Sequence, residues 1–348
     1  MDHSFLVPLP RLLLPWYYAH KRDLPWRADR DPYHIWLSEI MLQQTRVEAV
    51  RGYYTRCLAA LPTIEALASC EDELLHKLWE GLGYYSRVRN LKKAAGQIME
   101  HHNGVFPKNY RDILALPGIG EYTAGSICSI AYDFPTPAVD GNVLRVVSRL
   151  MDDHTPIDTP AFKEKTRLIL AEIYPDAAGD FTQALMELGA TVCGPNKRPE
   201  CDQCPCIDIC QGYQKSTTEM LPVKSPKRGK RQEDKTLFIF SCDGKFALEK
   251  RPSKGLLAGL WQFPNVNGKL NVQDALVQAE AMGLPPRQIL RQLEKKHIFT
   301  HIQWNMRAFY LETTETAGSF QWFTAEEINA QAALPTAFRQ FWEETGHV

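Results

Sequence analysis

The sequence predicts an all-α domain over residues 1–215 and a smaller α+β domain over 236–348, joined by a basic linker at 216–235. Three observations predict this. From Trp36 the apolar positions Trp36, Ile40, Val47, Val50, Tyr54 and Leu58 follow helical spacing, and similar segments continue to about residue 211. Between Lys224 and Lys235 six basic residues stand with Pro226 and Gly229 and almost nothing apolar, as in an exposed linker. Beyond it, Thr236–Cys242 and Lys245–Lys250 read as two strands around a tight Asp243-Gly244 turn. A chain of 348 residues also suits two cores of ordinary size better than one.

The N-terminal segment is apolar, but it carries Asp2, Arg11 and three prolines and has no basic leader. It makes a poor signal peptide and is expected to pack on the domain. No run of about 18 uncharged apolar residues is present, so no membrane span is expected. Gln43 and Gln44 interrupt the apolar stripe that begins at Trp36. Further helices are expected around 64–69, 72–80, 87–102, 111–115, 121–132, 142–151, 160–173 and 180–190. Turn signals separate them at Leu61-Pro62-Thr63, Gly81-Leu82-Gly83, Pro117-Gly118 and Pro135-Thr136-Pro137. The linker is read as a solvated connector, with contact to phosphates as the sharper alternative. After the first two strands, a helix near 272–282 and strands around 297–312 complete a mixed α and β domain. The net charge of −1 neither suggests nor excludes a nucleic-acid partner, so motifs must carry that claim.

Residues 111–125 bring one helix to an end at Leu116, turn at Pro117-Gly118, pass Gly120 and open a second helix. Glycines so placed leave backbone N–H groups unshielded at a helix N-terminus, which suits an anion. On DNA such a hairpin holds a phosphate without reading sequence. A plain turn between helices is the competing reading. Five of the nine cysteines lie between Cys193 and Cys210, whereas Cys57, Cys70, Cys128 and Cys242 read as buried apolar residues. The cluster reads better as a metal or iron–sulfur site than as a disulfide framework.

Four features share this half of the chain with the hairpin. Glu39 sits in Ser38-Glu-Ile-Met-Leu-Gln-Gln-Thr45, and Asp140 in Ala138-Val-Asp-Gly-Asn142, 20 residues after Gly120. Gly81-Leu-Gly-Tyr-Tyr-Ser-Arg87 lies between them, and the cysteine cluster follows. Together they resemble the helix–hairpin–helix DNA glycosylase superfamily and, within it, the MutY family, over nearly the whole chain. The resemblance implies a base-excision repair enzyme that removes adenine mispaired with 8-oxoguanine or guanine in duplex DNA. It implies Glu39 as the acid that protonates adenine at N7 and later helps activate water. Asp140 would stabilise the sugar cation and can also cap its helix. The apolar neighbours Trp36, Ile40 and Leu42 would raise the Glu39 pKa by desolvation. For each carboxylate alone, a solvated surface Glu or a simple N-cap would be the ordinary reading.

Tyr122 and Asn142 match active-site positions that orient the nucleotide and water. Tyr122 stands where endonuclease III-like relatives carry a Schiff-base lysine, and a phenol cannot replace an amine there. A monofunctional glycosylase is therefore expected. The segment Asp23-Leu-Pro-Trp-Arg27, with Arg22 before it, resembles the lining of the adenine pocket: Arg22, Leu24, Trp26 and Arg27. Gln183 falls at the adenine edge by the same resemblance. Trp26 as core packing and Gln183 as a surface-helix residue are the alternatives. Gln44 and Tyr84 match the positions inserted near the lesion when the base is flipped. Gly118 and Gly120 would contact DNA. Cys193, Cys201, Cys204 and Cys210 resemble the family's four-cysteine [4Fe–4S] loop, which would shape a basic loop, Lys197 and Arg198, against DNA. Seven residues separate the first two cysteines, one more than is usual in the family, and Cys206 is a further cysteine able to replace Cys204 or Cys210. A structural zinc is the alternative.

Gly255-Leu-Leu-Ala-Gly-Leu-Trp-Gln-Phe-Pro264 resembles the start of a Nudix-like fold. Residues 272–283 lack the paired-glutamate helix that binds Mg²⁺, so no pyrophosphohydrolase activity is expected. Phe299, Thr300 and His301, after His297, resemble the loop that reads 8-oxoguanine, with Thr where many relatives have Ser. The rival readings are a non-catalytic damage-binding protein, an endonuclease III-like pyrimidine glycosylase and lyase, and an iron–sulfur electron carrier. The joint presence of Glu39, Asp140, Tyr122 and the hairpin argues against each. A monomer in a bacterial cytoplasmic setting is expected.

Overall fold

The computed structural model describes residues 3–195, 198–226, 229–316 and 319–345. Helices dominate the first part. They are α1 (Leu9–His20), α2 (Pro32–Leu42), α3 (Val47–Ala60), α4 (Ile64–Ser69), α5 (Asp72–Leu78) and α6 (Ser86–His101). Then follow α7 (Tyr110–Ala115), α8 (Glu121–Tyr132), α9 (Gly141–Leu150), α10 (Pro160–Ile173), α11 (Ala178–Thr191) and α12 (Gln211–Gln214). Most expected helices appear within two residues of their expected bounds. The stripe from Trp36 is two helices, broken at Gln43–Arg46, where the polar interruption falls.

The contact pattern divides the chain into two compact units, residues 1–69 with 90–227, and residues 70–89 with 228–348. This departs from the expected boundary, because residues 70–89 belong with the C-terminal unit. The reason is chemical: Glu80 accepts hydrogen bonds from Leu334 N and Arg339, and Arg89 donates to Ala258 O. No local pattern in 70–89 announces partners so distant in sequence. Cys57, Cys128 and Cys242 are buried as expected, but Cys70, at the head of this segment, is only half-buried.

In the first unit α2 is buried on every side, from Tyr33 and Ile35 through Met41. The same holds for α8 over Thr123–Ile130 and for α9 over Val143–Leu150. A helix with no solvent face is a central one. A core of Leu6, Leu9, Leu13 and Tyr17 with Val143, Val147, Phe181 and Leu188 shows α1 packed on α9 and α11, so the N-terminal segment does join the domain.

Among the described residues the second unit is built on seven strands: β1 (Arg231–Cys242), β2 (Lys245–Lys250), β3 (Trp261–Gln262), β4 (Asn265–Asn267), β5 (Pro286–Ile298), β6 (Ile302–Thr313) and β7 (Gln321–Thr324). The sheet order is β3-β2-β1-β6-β5, with β4 on β1 and β7 on β2. Strand β1 pairs parallel with β6 from Arg231 onward, so the strand takes in the last residues of the segment expected as linker. The Asp243-Gly244 turn closes β1 on β2 as expected, with both residues at positive φ. Leu237 and Ile239 face a core with Phe338, Phe341 and Trp342 of α15 (Thr336–Trp342) and Ile328 of α14 (Ala325–Ala330). Phe238 and Phe240 face the opposite core, with Ala275 and Ala279 of α13 (Val272–Ala281). Period-two alternation into two cores makes a sheet covered on both sides, which is why residues 237–240 read as one apolar run.

Candidate active site

Glu39 stands on α2 and is 5 % exposed. Because α2 has no solvent face, a carboxyl there must be satisfied from within the protein. Tyr122, the second residue of α8, donates its phenol to Glu39 Oε2 at 2.5 Å. Burial pushes the Glu39 carboxyl up to about 7; the Tyr122 hydrogen bond opposes that push and the nearby Asp140 charge adds to it. The Tyr122 phenol is held well above its ordinary value, by burial first and by the Glu39 charge second. An acid poised near neutrality can give and take a proton at little cost.

Asp140 is the N-cap of α9 and accepts from Val143 N at 2.7 Å. Its other oxygen accepts from Asn142 Nδ2 at 2.7 Å. Burial raises its pKa, while the Val143 and Asn142 hydrogen bonds favour the ionised form and oppose the rise. Asp140 is thus an N-cap that also lines the cavity described below. Arg145, buried one turn further on, donates to Asn142 Oδ1 at 2.8 Å, Gly189 O at 2.6 Å and Cys193 O at 2.7 Å. Helix α11 passes α9 so closely at Gly189 that a Cβ there would meet Asn142 Cβ at 2.7 Å. One hydrogen-bonded path thus runs from the Asp140 carboxylate to the first cysteine of the loop. Gln44, Tyr122, Asp140, Asn142 and Arg145 line one open cavity of about 1170 Å³, and Lys163, Arg198 and Lys224 line it too, with Asp158 and Glu219 among them. Lys197 lies outside the described residues.

Arg22 and Arg27 converge on a residue that the sequence reading missed. Glu187 on α11 is fully buried and accepts from Arg22 Nε at 2.6 Å, Arg22 Nη2 at 3.0 Å and Arg27 Nη2 at 2.8 Å. Burial pushes its pKa up, but the two guanidiniums outweigh this and hold it below the ordinary value. The available signal was an acid inside the apolar run Ala184-Leu-Met-Glu-Leu188. Gln183 is half-buried, one turn earlier on the same helix. Leu24 and Trp26 are buried, with Trp26 edge-on to Tyr54 at 5.7 Å.

The hairpin between α7 and α8 has Gly118 at φ +80°, where a Cβ would also meet Asn90 Cβ at 2.7 Å. Gly120 caps α8 with open space beside it. Cys193, Cys201, Cys204 and Cys210 line one cavity with Val146, Leu150 and Leu188. Arg149 Nη1 donates to Cys193 Sγ at 3.2 Å. Cys206 is fully buried in the adjoining core and hydrogen-bonds to Cys204. Among the described residues no three His, Cys, Asp or Glu side chains gather around a point fit for a single metal ion.

In the second unit, Phe299, Thr300 and His301 form the turn between β5 and β6. Phe299 packs edge-on against Trp304 at 4.8 Å, whereas Thr300 and His301 are exposed. Lys230 donates to Phe299 O at 2.8 Å, and Tyr84 OH lies 3.1 Å from Thr300 Oγ1. Gln44 in the first unit and Tyr84 in the second share one backbone peculiarity: both hold positive φ, at 57° and 48°. A non-glycine residue in that region is strained, as residues at functional sites often are.

The helical core, the hairpin and the carboxylates Glu39, buried, and Asp140, half-buried, define a class. Residues 37–172 match the family model of the HhH-GPD superfamily base excision DNA repair proteins, and residues 236–344 match a NUDIX domain. The solved structure of a thermostable thymine-DNA glycosylase is similar with a TM-score of 0.55 and 27 % identity, covering 62 % of this chain and 100 % of that one. Curated relatives narrow the class. The adenine DNA glycosylase of Mus musculus is 36 % identical over 94 % of this chain and 76 % of its own length. That of Homo sapiens is 36 % identical over 94 % and 72 %. The chain belongs to the adenine DNA glycosylase family. No helix among the described residues is long and apolar enough to cross a membrane.

Proposed function

We propose that this chain acts as a monomer on duplex DNA and hydrolyses the N-glycosidic bond of adenine mispaired with 8-oxoguanine or guanine, without cutting the strand. The observation that carries this reading is Glu39, buried, hydrogen-bonded by Tyr122 and raised to about 7. Breaking a purine glycosidic bond builds negative charge on the leaving base and positive charge on the sugar. Glu39, protonated, would give its proton to adenine N7. Asp140, whose ionised form is favoured by the hydrogen bonds from Val143 N and Asn142, would face the sugar cation. When the proton has gone, the Tyr122 phenol would stabilise the Glu39 carboxylate, which could then take a proton from the attacking water. The base must first leave the stack at a cost of roughly a few kcal/mol, least for a mispair. Gln44 would hold the gap, and the hairpin around Gly118 and Gly120 would hold a backbone phosphate. Arg22 and Arg27, fixed by Glu187, would line the adenine pocket with Leu24, Trp26 and Gln183. Thr300 and Tyr84 would offer hydroxyls to the opposite base, flanked by Phe299 and His301.

Cys193, Cys201, Cys204 and Cys210 would hold a [4Fe–4S] cluster. Four thiols around one shared, apolar-lined cavity offer the donor set of such a cluster, with an Arg149 N–H aimed at one sulfur. The cluster would supply a covalent cross-link that shapes the loop carrying Arg198 and fixes the Cys193 carbonyl that Arg145 holds.

The test is single-turnover base release from duplexes with adenine opposite 8-oxoguanine, guanine and thymine, for wild type and Glu39→Gln. Strand breaks are scored with and without alkali. Release from the first duplex, visible as a break only after alkali and lost in Glu39→Gln, supports the proposal. Selective binding without release by the wild type would make the protein a damage reader.

A further inference from the structure

Residues 79–89 are held more firmly than a turn of this length needs. Gly81, Gly83 and Tyr84 all have positive φ, at 95°, 70° and 48°. Trp79, fully buried, donates Nε1 to Gly83 O at 3.1 Å. Arg87 donates Nη2 to Leu82 O and Gly83 O, each at 3.2 Å, and places its guanidinium 5.5 Å from the Trp79 ring and 5.3 Å from the Tyr84 ring. These contacts set the internal shape of the turn. Contacts that reach out of the turn hold it on the second unit.

Glu80 makes such contacts. Its Oε1 accepts from Leu334 N at 3.0 Å, from Arg339 Nε at 2.8 Å and from Arg339 Nη2. Its Oε2 pairs with Lys77 Nζ at 2.7 Å, and Lys77 reaches on to Ala332 O at 3.4 Å. Ala332 and Leu334 are buried in the core that also holds Trp304, and Arg339 rises from α15 over that core. On the other flank Arg89 Nη1 donates to Ala258 O at 3.0 Å. The Glu80 side chain is 11 % exposed, so its charge-assisted bonds meet little competition from water. Tyr84, at 44 % exposed, meets Thr300 through a hydroxyl pair that water does compete for.

We propose that Glu80 is a positioning residue for recognition of the opposite base: by clamping the 79–89 turn to Arg339 and the Leu334 N–H, it keeps Tyr84 beside Thr300 so that the two hydroxyls form one reading edge. This rests on the reading of Tyr84 and Thr300 given under Proposed function. The chemistry requires such a device. 8-Oxoguanine differs from guanine by a carbonyl oxygen at C8 and a proton on N7. One or two hydrogen bonds carry the whole distinction. A hydroxyl can donate or accept, so placement rather than group type determines the reading. A displacement of about 1 Å is enough to lose such a bond.

The test compares single-turnover release of adenine opposite 8-oxoguanine with release opposite guanine. The proteins are wild type, Glu80→Gln, Arg339→Lys and Thr300→Ala. Glu80→Gln is expected to lower the ratio of the two rates about tenfold, the effect of losing roughly one hydrogen bond. Arg339→Lys, which keeps the charge but loses the fork, is expected to lower it part of the way. A general loss of folded protein would lower both rates together and leave the ratio unchanged. If Thr300→Ala lowers the ratio while Glu80→Gln and Arg339→Lys leave it at the wild-type value, the clamp is overturned and the reading edge stands. If Thr300→Ala leaves the ratio unchanged, the reading edge itself fails and the clamp falls with it.

Discussion

Glu39 is 5 % exposed and Tyr84 is 44 % exposed, and the difference separates the two tasks proposed for them, proton transfer and reading of the opposite base. Around Glu39 the protein replaces water on every side. Helix α2 has no solvent face, Tyr122 supplies the hydrogen bond, and burial keeps a carboxyl protonated up to near neutral pH. Around Tyr84 and Thr300 the groups that touch are left in water, and their order comes from contacts one layer behind them, Glu80 with Arg339 and Lys230 with Phe299 O. Proton transfer needs an altered pKa, which only burial and charge provide. Reading a base edge needs unaltered hydroxyls in a fixed place. The same fold principles therefore yield a dry site and a wet one.

Substitutions can break this contrast, and the largest effect is expected at Glu39. Glu39→Gln should slow adenine release by about 10³-fold or more, in the range for loss of a general acid. It should also stabilise the protein at alkaline pH. The Glu39 pKa is raised in the folded state, so its contribution is neutral below the ordinary value of 4.5 and grows into a penalty as pH rises from there to about 7, above which it is constant. Gln lacks that penalty, worth about 3 kcal/mol, and a higher melting temperature at pH 8 than at pH 5, relative to wild type, is the check. Next comes Glu187→Ala. Removing the fully buried partner of Arg22 and Arg27 should cost about 3–5 kcal/mol in denaturant unfolding, because two guanidiniums lose their counter-charge. Tyr122→Phe removes a hydrogen bond that lowers the Glu39 pKa, so the alkaline fall in rate should begin at higher pH, with a drop of about tenfold in rate at the plateau. The smallest effect on stability belongs to the wet site. Thr300→Ala should change unfolding free energy by less than about 0.5 kcal/mol while lowering the preference for 8-oxoguanine over guanine about tenfold.

The helical half was legible because its signals are local. Helices α4 and α10 start and stop at the expected residues, since Thr63 and Thr159-Pro160 are strong N-terminal signals on the chain itself. The Asp243-Gly244 hairpin was legible for the same reason. What escaped depends on partners far away in sequence. Arg231–Lys235 reads as linker because it is charged or polar throughout, yet β6 pairs with it residue by residue. Residues 70–89 read as part of the helical domain because nothing in them names Arg339 or Ala258. Glu187 reads as an accident in an apolar helix until Arg22 and Arg27, more than 150 residues earlier, are placed on it. The choice among five cysteines was open from spacing alone. In the fold, Cys193, Cys201, Cys204 and Cys210 line one cavity, and Cys206 is buried in a core that also takes in Cys210.

The central claim is that Glu39 works as a protonated acid because the fold raises its pKa. The most direct measurement is the single-turnover rate of adenine release opposite 8-oxoguanine between pH 5.5 and 9, with duplex in saturating excess. The account predicts a plateau on the acid side and a fall of about tenfold per pH step above about 7, with the break moved to higher pH in Tyr122→Phe. A rate that stays flat to pH 9, or a break that does not move when the Tyr122 phenol is removed, would contradict it.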